Sequence, residues 1–170
     1  MVKRYFVLLL LGLTVTLSAL ATTPGEVLAG QMLRDIPMQG LLSPSINLSA
    51  YRGKPLIINV WASWCGPCRE EMGSLEQLSR RFWGGELNVI GISTDDYRDR
   101  AEIFLRRANV SFNNYLDSKL VLEHMLGADR LPLTLLVDAQ GKVVAKYYGA
   151  KDWNSPQALG LIAQQLRIKP

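Results

Sequence analysis

The chain has 170 residues, 48% apolar and 20% charged, a balance that excludes a fibrous or disordered protein and gives one domain enough material for its own core. Its net charge is +4, but Lys3 and Arg4 at the extreme N-terminus supply two of those charges, and the remaining +2 is not clustered with aromatic residues. That distribution argues against nucleic-acid binding.

Met1-Val2-Lys3-Arg4 forms a short basic region, and Val7 to Leu20 is a run of apolar and small residues. Ala19-Leu20-Ala21 then places small residues at the two positions a signal peptidase reads. Counted from Tyr5 to Ala21, the run falls short of the about 20 apolar residues that cross a bilayer. Residues 1–21 therefore read as a signal peptide, with an uncleaved anchor over residues 5–21 as the alternative. Either one delivers the rest outside the cytoplasm, to the periplasm or an equivalent space. No cysteine lies near Ala21, which argues against a lipid anchor.

Residues 22–34 carry Pro and Gly without a period and read as a flexible tail, leaving the folded domain at 35–170. Asp35 to Ser49 suggests short extended pieces broken by Gly40 and Pro44, and Arg52-Gly53-Lys54-Pro55 a turn. Leu56 to Trp61 is a near-continuous apolar run, the mark of a strand buried on both faces. Pro67 to Trp83 reads as a helix: Met72, Leu75, Leu78 and Phe82 recur every three or four residues, and Arg69, Glu70, Glu76 and Arg80 fill the rest of the wheel. Gly84-Gly85 ends it.

Asn88 to Ser93 is a second buried strand. Asp95 and Asp96 precede a helix with the stripe Ala101, Phe104, Leu105 and Ala108, and Ser118 to Leu126 is a shorter helix ended by Gly127. Leu133 to Asp138 and Lys142 to Tyr148 read as a hairpin turning at Gly141. Ser155-Pro156 caps a last helix carrying Leu159, Ile162 and Leu166 on one face. The order is strand–helix–strand–helix–strand–strand–helix behind an extended N-terminal region, a three-layer α/β arrangement. Strands 56–61 and 88–93 are expected as parallel neighbours, with 133–138 antiparallel beside the first.

The chain has only two cysteines, Cys65 and Cys68. A bond between them closes so small a ring that it would stabilise by only about 2 kcal/mol in the loop-entropy model, so the pair reads as chemical rather than structural. It joins the end of a buried strand to the start of a helix. Unpaired N–H groups and the positive end of the helix dipole favour an anion there, so a thiol at that place loses its proton more easily. The thiolate is the nucleophile of disulfide exchange: one sulfur attacks and the other resolves the mixed disulfide. Pro67 is tolerated because first-turn residues have no helical N–H bond to lose.

Trp64-Cys65-Gly66-Pro67-Cys68 after a hydrophobic strand is the thioredoxin signature, and its surroundings resemble the exported TlpA-like and ResA-like reductases. The matching residues are Tyr51-Arg52-Gly53-Lys54-Pro55, Asn59-Val60-Trp61-Ala62, Cys68-Arg69-Glu70-Glu71-Met72 and Val137-Asp138-Ala139-Gln140-Gly141-Lys142. The resemblance spans about Asp35 to Leu166. It implies a thioredoxin-like three-layer sandwich with a mixed central sheet. Cys65 would then be the exposed attacking thiol and Cys68 the buried resolving one.

Pro132 stands where the family has a cis-proline facing the cysteines and leaving a backbone edge for substrate. The residue before it is Leu131, where the family often has Thr or a small residue. Trp64, Gly66, Pro67 and Leu131 would touch substrate, and Trp61 belongs to the core. Glu71 matches an acidic residue of the family. One helical turn from Cys68, it either passes a proton to and from that thiol or is an ordinary solvated carboxylate. Asn59 occupies the place of the buried acid of cytoplasmic thioredoxins, and Gly73 replaces a family Pro, so the helix should bend less there.

His124, the only histidine, cannot complete a zinc site without more Cys or His and reads as structural. The function implied is reduction of disulfides in exported proteins, such as apocytochrome c or copper-site assembly factors. Electrons would come from a membrane or periplasmic donor to a monomer needing no metal and no cofactor beyond the Cys65–Cys68 disulfide. The alternatives are a disulfide oxidase or isomerase and, from another class, a Cu(I) metallochaperone, since soft thiolates suit Cu(I). A peroxidase would want a lone cysteine in a different loop.

Overall fold

The computed structural model describes residues 24–169, so the leader expected at 1–21 lies outside the described residues. Among them no helix is long and apolar enough to cross a membrane. In chain order come β1 (Pro37–Leu41), β2 (Ile46–Asn47), a 3-10 turn (Leu48–Tyr51), β3 (Leu56–Trp61) and α1 (Gly66–Arg81). There follow β4 (Asn88–Ser93), α2 (Arg98–Arg107), β5 (Asn113–Leu116) and α3 (Val121–Leu126). The chain closes with β6 (Leu133–Val137), β7 (Val143–Tyr148) and α4 (Pro156–Leu166).

The strands form one mixed sheet in the order β2-β1-β5-β4-β3-β6-β7. β3 is parallel to β4, with Ile58 opposite Ile90, and antiparallel to β6, with Ile58 opposite Leu135, as the sequence predicts. All six residues of β3 are buried because both faces are covered. Ile57 and Trp61 face a core built with α1, α2 and α4, while Leu56, Ile58 and Val60 face one built with α3 and the N-terminal segment. These are the three layers.

Local chemistry sets the boundaries. Gly84 takes a φ of +72° just past α1, and Gly141 a φ of +91° in the β6–β7 turn. Ser155 Oγ caps α4 by accepting the Ala158 N–H. Gly40 is required by close approach, since a Cβ there would meet the Ser43 carbonyl oxygen at 1.9 Å.

Three expectations need correction. β5 is a strand that sequence reasoning misses: Asn113 and Asn114 disfavour strands, but Asn114 is buried and accepts the Trp61 indole N–H while donating to the Phe112 carbonyl. The third helix begins at Val121, not Ser118, because Asp117 accepts the N–H groups of Val121 and Glu123 and Leu120 adopts a left-handed φ of 57°. Residues 24–34 are not a flexible tail. Val27 and Leu33 are buried, the backbone bonds to Met125, Gly141 and Val143, and the Glu26 carboxylate accepts from Lys146.

Candidate active site

β3 and β4 run parallel and both end at one edge of the sheet, where the chain leaves β3 for α1. Open α/β sheets bind ligands outside such carboxyl ends. Cys65 is the N-cap of α1, in extended conformation, and its Sγ accepts the backbone N–H of Cys68 at 3.2 Å. Pro67 occupies the first turn. The two cysteines form a disulfide with a Cα–Cα distance of 5.3 Å.

Cys68 is wholly buried, whereas Cys65 lines an open cleft of about 650 Å3 together with Trp64, Gly66, Pro67 and Leu131. The order of exposure is the one expected, but its degree is not: Cys65 is only 6% exposed, because as the N-cap of α1, bonded to Cys68, it packs into the edge of the core cluster. Trp64 is 68% exposed and Trp61 fully buried. The Leu131–Pro132 peptide is cis. Pro132 precedes Leu133, the partner of Val60, so it lies at the end of β3 that carries the cysteine turn.

Glu71 is buried, not a solvated surface carboxylate. Oε1 accepts from Asn59 Nδ2 at 2.6 Å, and Oε2 from the Lys151 backbone N–H and the Trp153 indole N–H, both at 3.1 Å. Burial pushes its pKa up to about 7, against the pull of these donors toward the anion. Asn59 also donates to Thr134, and its Oδ1 has no hydrogen-bond partner among the described residues. Glu71 and Cys68 thus share the buried side of α1, one turn apart.

Two supports escape sequence reasoning. Asp95 is 1% exposed and accepts from the Ser63 backbone N–H at 2.9 Å, from Ser63 Oγ at 2.6 Å and from Ser93 Oγ at 2.7 Å. It ties the end of β4 to the turn that presents Cys65. Its signal was its place just past a strand parallel to the cysteine strand. Trp153, buried beside Glu71, lies too far along the chain for spacing to reveal. His124, on α3, has a side chain 68% exposed, with Nδ1 3.9 Å from the Glu123 carboxylate. Among the described residues no three His, Cys, Asp or Glu side chains gather as a metal site.

A model of the AhpC/TSA family matches residues 29–151. The thiol:disulfide interchange protein DsbE of Vibrio cholerae is 31% identical over 142 residues, covering 78% of this chain and 73% of that one. The thiol-disulfide oxidoreductase ResA of Geobacillus thermodenitrificans is 29% identical over 122 residues, covering 72% and 70%. Among solved structures, a DsbF homologue from Corynebacterium diphtheriae superposes with a TM-score of 0.67 at 26% identity, over 78% of this chain and 84% of that one. The thioredoxin domain of a Bacteroides vulgatus thiol-disulfide oxidoreductase superposes with a TM-score of 0.66 at 24% identity, over 76% and 94%.

Proposed function

The chain belongs to the AhpC/TSA family and is a thioredoxin-fold thiol-disulfide oxidoreductase, and on that premise we propose that it reduces disulfides of proteins outside the cytoplasm. One observation carries the reading: of two sulfurs on one helical turn, Cys65 faces an open cleft and takes a backbone N–H, while Cys68 is wholly buried.

In the reduced protein the Cys65 thiolate attacks one sulfur of the substrate disulfide. The substrate S–S bond breaks, its other sulfur leaves as a thiolate, and a mixed disulfide forms. Cys68 then gives up its proton and attacks Cys65 Sγ, which releases the second substrate thiolate and closes the Cys65–Cys68 disulfide. The substrate gains two electrons and the cysteine pair loses them. Glu71, one turn from Cys68, accepts that proton; a carboxyl titrating at about 7 is half ionised near neutrality and suited to the task.

Trp64, Gly66, Pro67 and Leu131 contact the substrate from the walls of the cleft, and the backbone before Pro132 offers an edge for it to pair with. An electron donor in the membrane or periplasm returns the pair to its reduced form, and the basic-then-apolar leader at residues 1–21 supports export. The Gly66-Pro67 dipeptide and the resemblance to ResA-like reductases favour reduction over oxidation.

Equilibrating the protein with a defined dithiol–disulfide buffer tests the direction. The Cys65–Cys68 couple should stand nearer the about −270 mV of thioredoxin than the about −120 mV of DsbA. A value near the latter would make the protein an oxidase.

A further inference from the structure

We infer that the groove between α1 and α2 binds an acidic stretch of the protein whose disulfide meets Cys65, an inference that rests on the protein-disulfide reading above. The groove encloses about 800 Å3, reaches Ser63 and Gly66 of the cysteine turn, and shares Gly66 with the Cys65 cleft. One wall is the N-terminal part of α1, with Arg69 and Glu70. The other is a single face of α2, where Arg100, Ile103, Phe104 and Arg107 follow the i, i+3, i+4, i+7 spacing of neighbours on a helix.

This face borders the one α2 buries in the core and shares Phe104 with it, whose ring packs against Trp61 with centroids 5.2 Å apart. Ala101 and Leu105 are the helix's buried residues, while Ile103 is 48% exposed and both arginines are exposed. Three guanidinium groups stand there against one carboxylate, Glu70. The other two arginines of α2 are paired: Arg98 and Arg106 both reach Glu102. Among the described residues Arg69, Arg100 and Arg107 form no ion pair, and the Arg100 guanidinium lies over the Tyr97 ring, 5.3 Å from its centroid.

Across Gly66 the sign reverses, since Asp96, Glu123 and Asp129 line the Cys65 cleft. A polypeptide laid across the turn therefore meets cations on the α2 side and anions on the α3 side, a pattern that selects both its charge and its direction. Carboxylates suit the arginine side because a guanidinium binds them through two parallel hydrogen bonds. Ile103 and Phe104 give the same segment an apolar floor.

The test uses three disulfide-bonded peptides identical except for four residues beside one cysteine: acidic, serine or lysine. Each is mixed with pre-reduced protein, and the second-order rate constant is measured at low and high salt. At low salt the acidic peptide should react roughly tenfold faster than the serine peptide, and this advantage should shrink with salt. The lysine peptide, repelled by the groove and attracted only by the Cys65 cleft, should not match the acidic one. The double variant Arg100→Glu/Arg107→Glu should abolish or invert the acidic preference. Lys54→Glu/Lys142→Glu, the same change of charge at the far end of β3, should keep it. Equal rates for acidic and serine peptides, or a preference that survives Arg100→Glu/Arg107→Glu, would overturn the groove alone. No reaction with even the serine peptide would overturn the reductase reading and the groove with it.

Discussion

Glu71 is enclosed by Asn59, Lys151 and Trp153, and burial outweighs the three donors aimed at its oxygens. Its ordinary value is 4.5 and its folded value about 7, so between these the native protein holds a proton that the unfolded chain has released. Stability then falls as pH rises through the window, since the folded state binds more protons there. Glu71→Gln removes this dependence. The stability of wild type relative to the variant, from urea unfolding, should decline between about pH 4.5 and 7 and level off on both sides. The same variant should slow the Cys68 step of exchange more than the Cys65 attack. A stability difference independent of pH would mean that Glu71 ionises as an exposed carboxylate does. At this scale the Cys65–Cys68 pair was legible because a motif fixes it, and the cis bond at Pro132 only through the family resemblance. The roles of Asp95 and Trp153 were not, because each acts through a partner far along the chain: Asp95 through Ser63, Trp153 through Glu71.

β3, β4 and α1 were readable as elements because their patterns are unambiguous: two apolar runs buried on both faces and one stripe of period three to four. β5 was not, since what stabilises it is tertiary: Gly91 of β4 leaves the room in which Asn114 reaches Trp61, and a Cβ there would meet Asn114 Oδ1 at 1.9 Å. Glu76 shows the same limit. It falls among the polar positions of the α1 wheel, yet it is buried and accepts from the Ser111 backbone N–H and hydroxyl, joining α1 to the segment before β5. Gly73 lies inside α1, exposed, with open space where a Cβ would stand. Ala at that place should stabilise the protein by about 0.5–1 kcal/mol, because glycine loses more backbone freedom in a helix. The check is a rise in the urea midpoint at unchanged slope. A fall would show that α1 needs glycine there for its shape.

Across the whole molecule, residues 24–34 fasten the outer edge of the sheet. They bond to β7 and to the turn before it, fill apolar gaps with Val27 and Leu33, and lock through Glu26 to Lys146. Such a clasp has no periodic signature, so composition alone reads it as a tail. The opposite end of β3 carries the chemistry, between a cationic groove on α2 and an anionic cleft beside α3. On the proposed mechanism Cys65 attacks and Cys68 resolves. The direct measurement is to mix reduced Cys68→Ser protein with a disulfide-bonded peptide and map the adduct by mass spectrometry without reductant. A stable mixed disulfide on Cys65 is predicted, with Cys65→Ser giving neither adduct nor turnover. Sustained turnover by Cys65→Ser, or a Cys68→Ser protein that forms no adduct, would contradict the account.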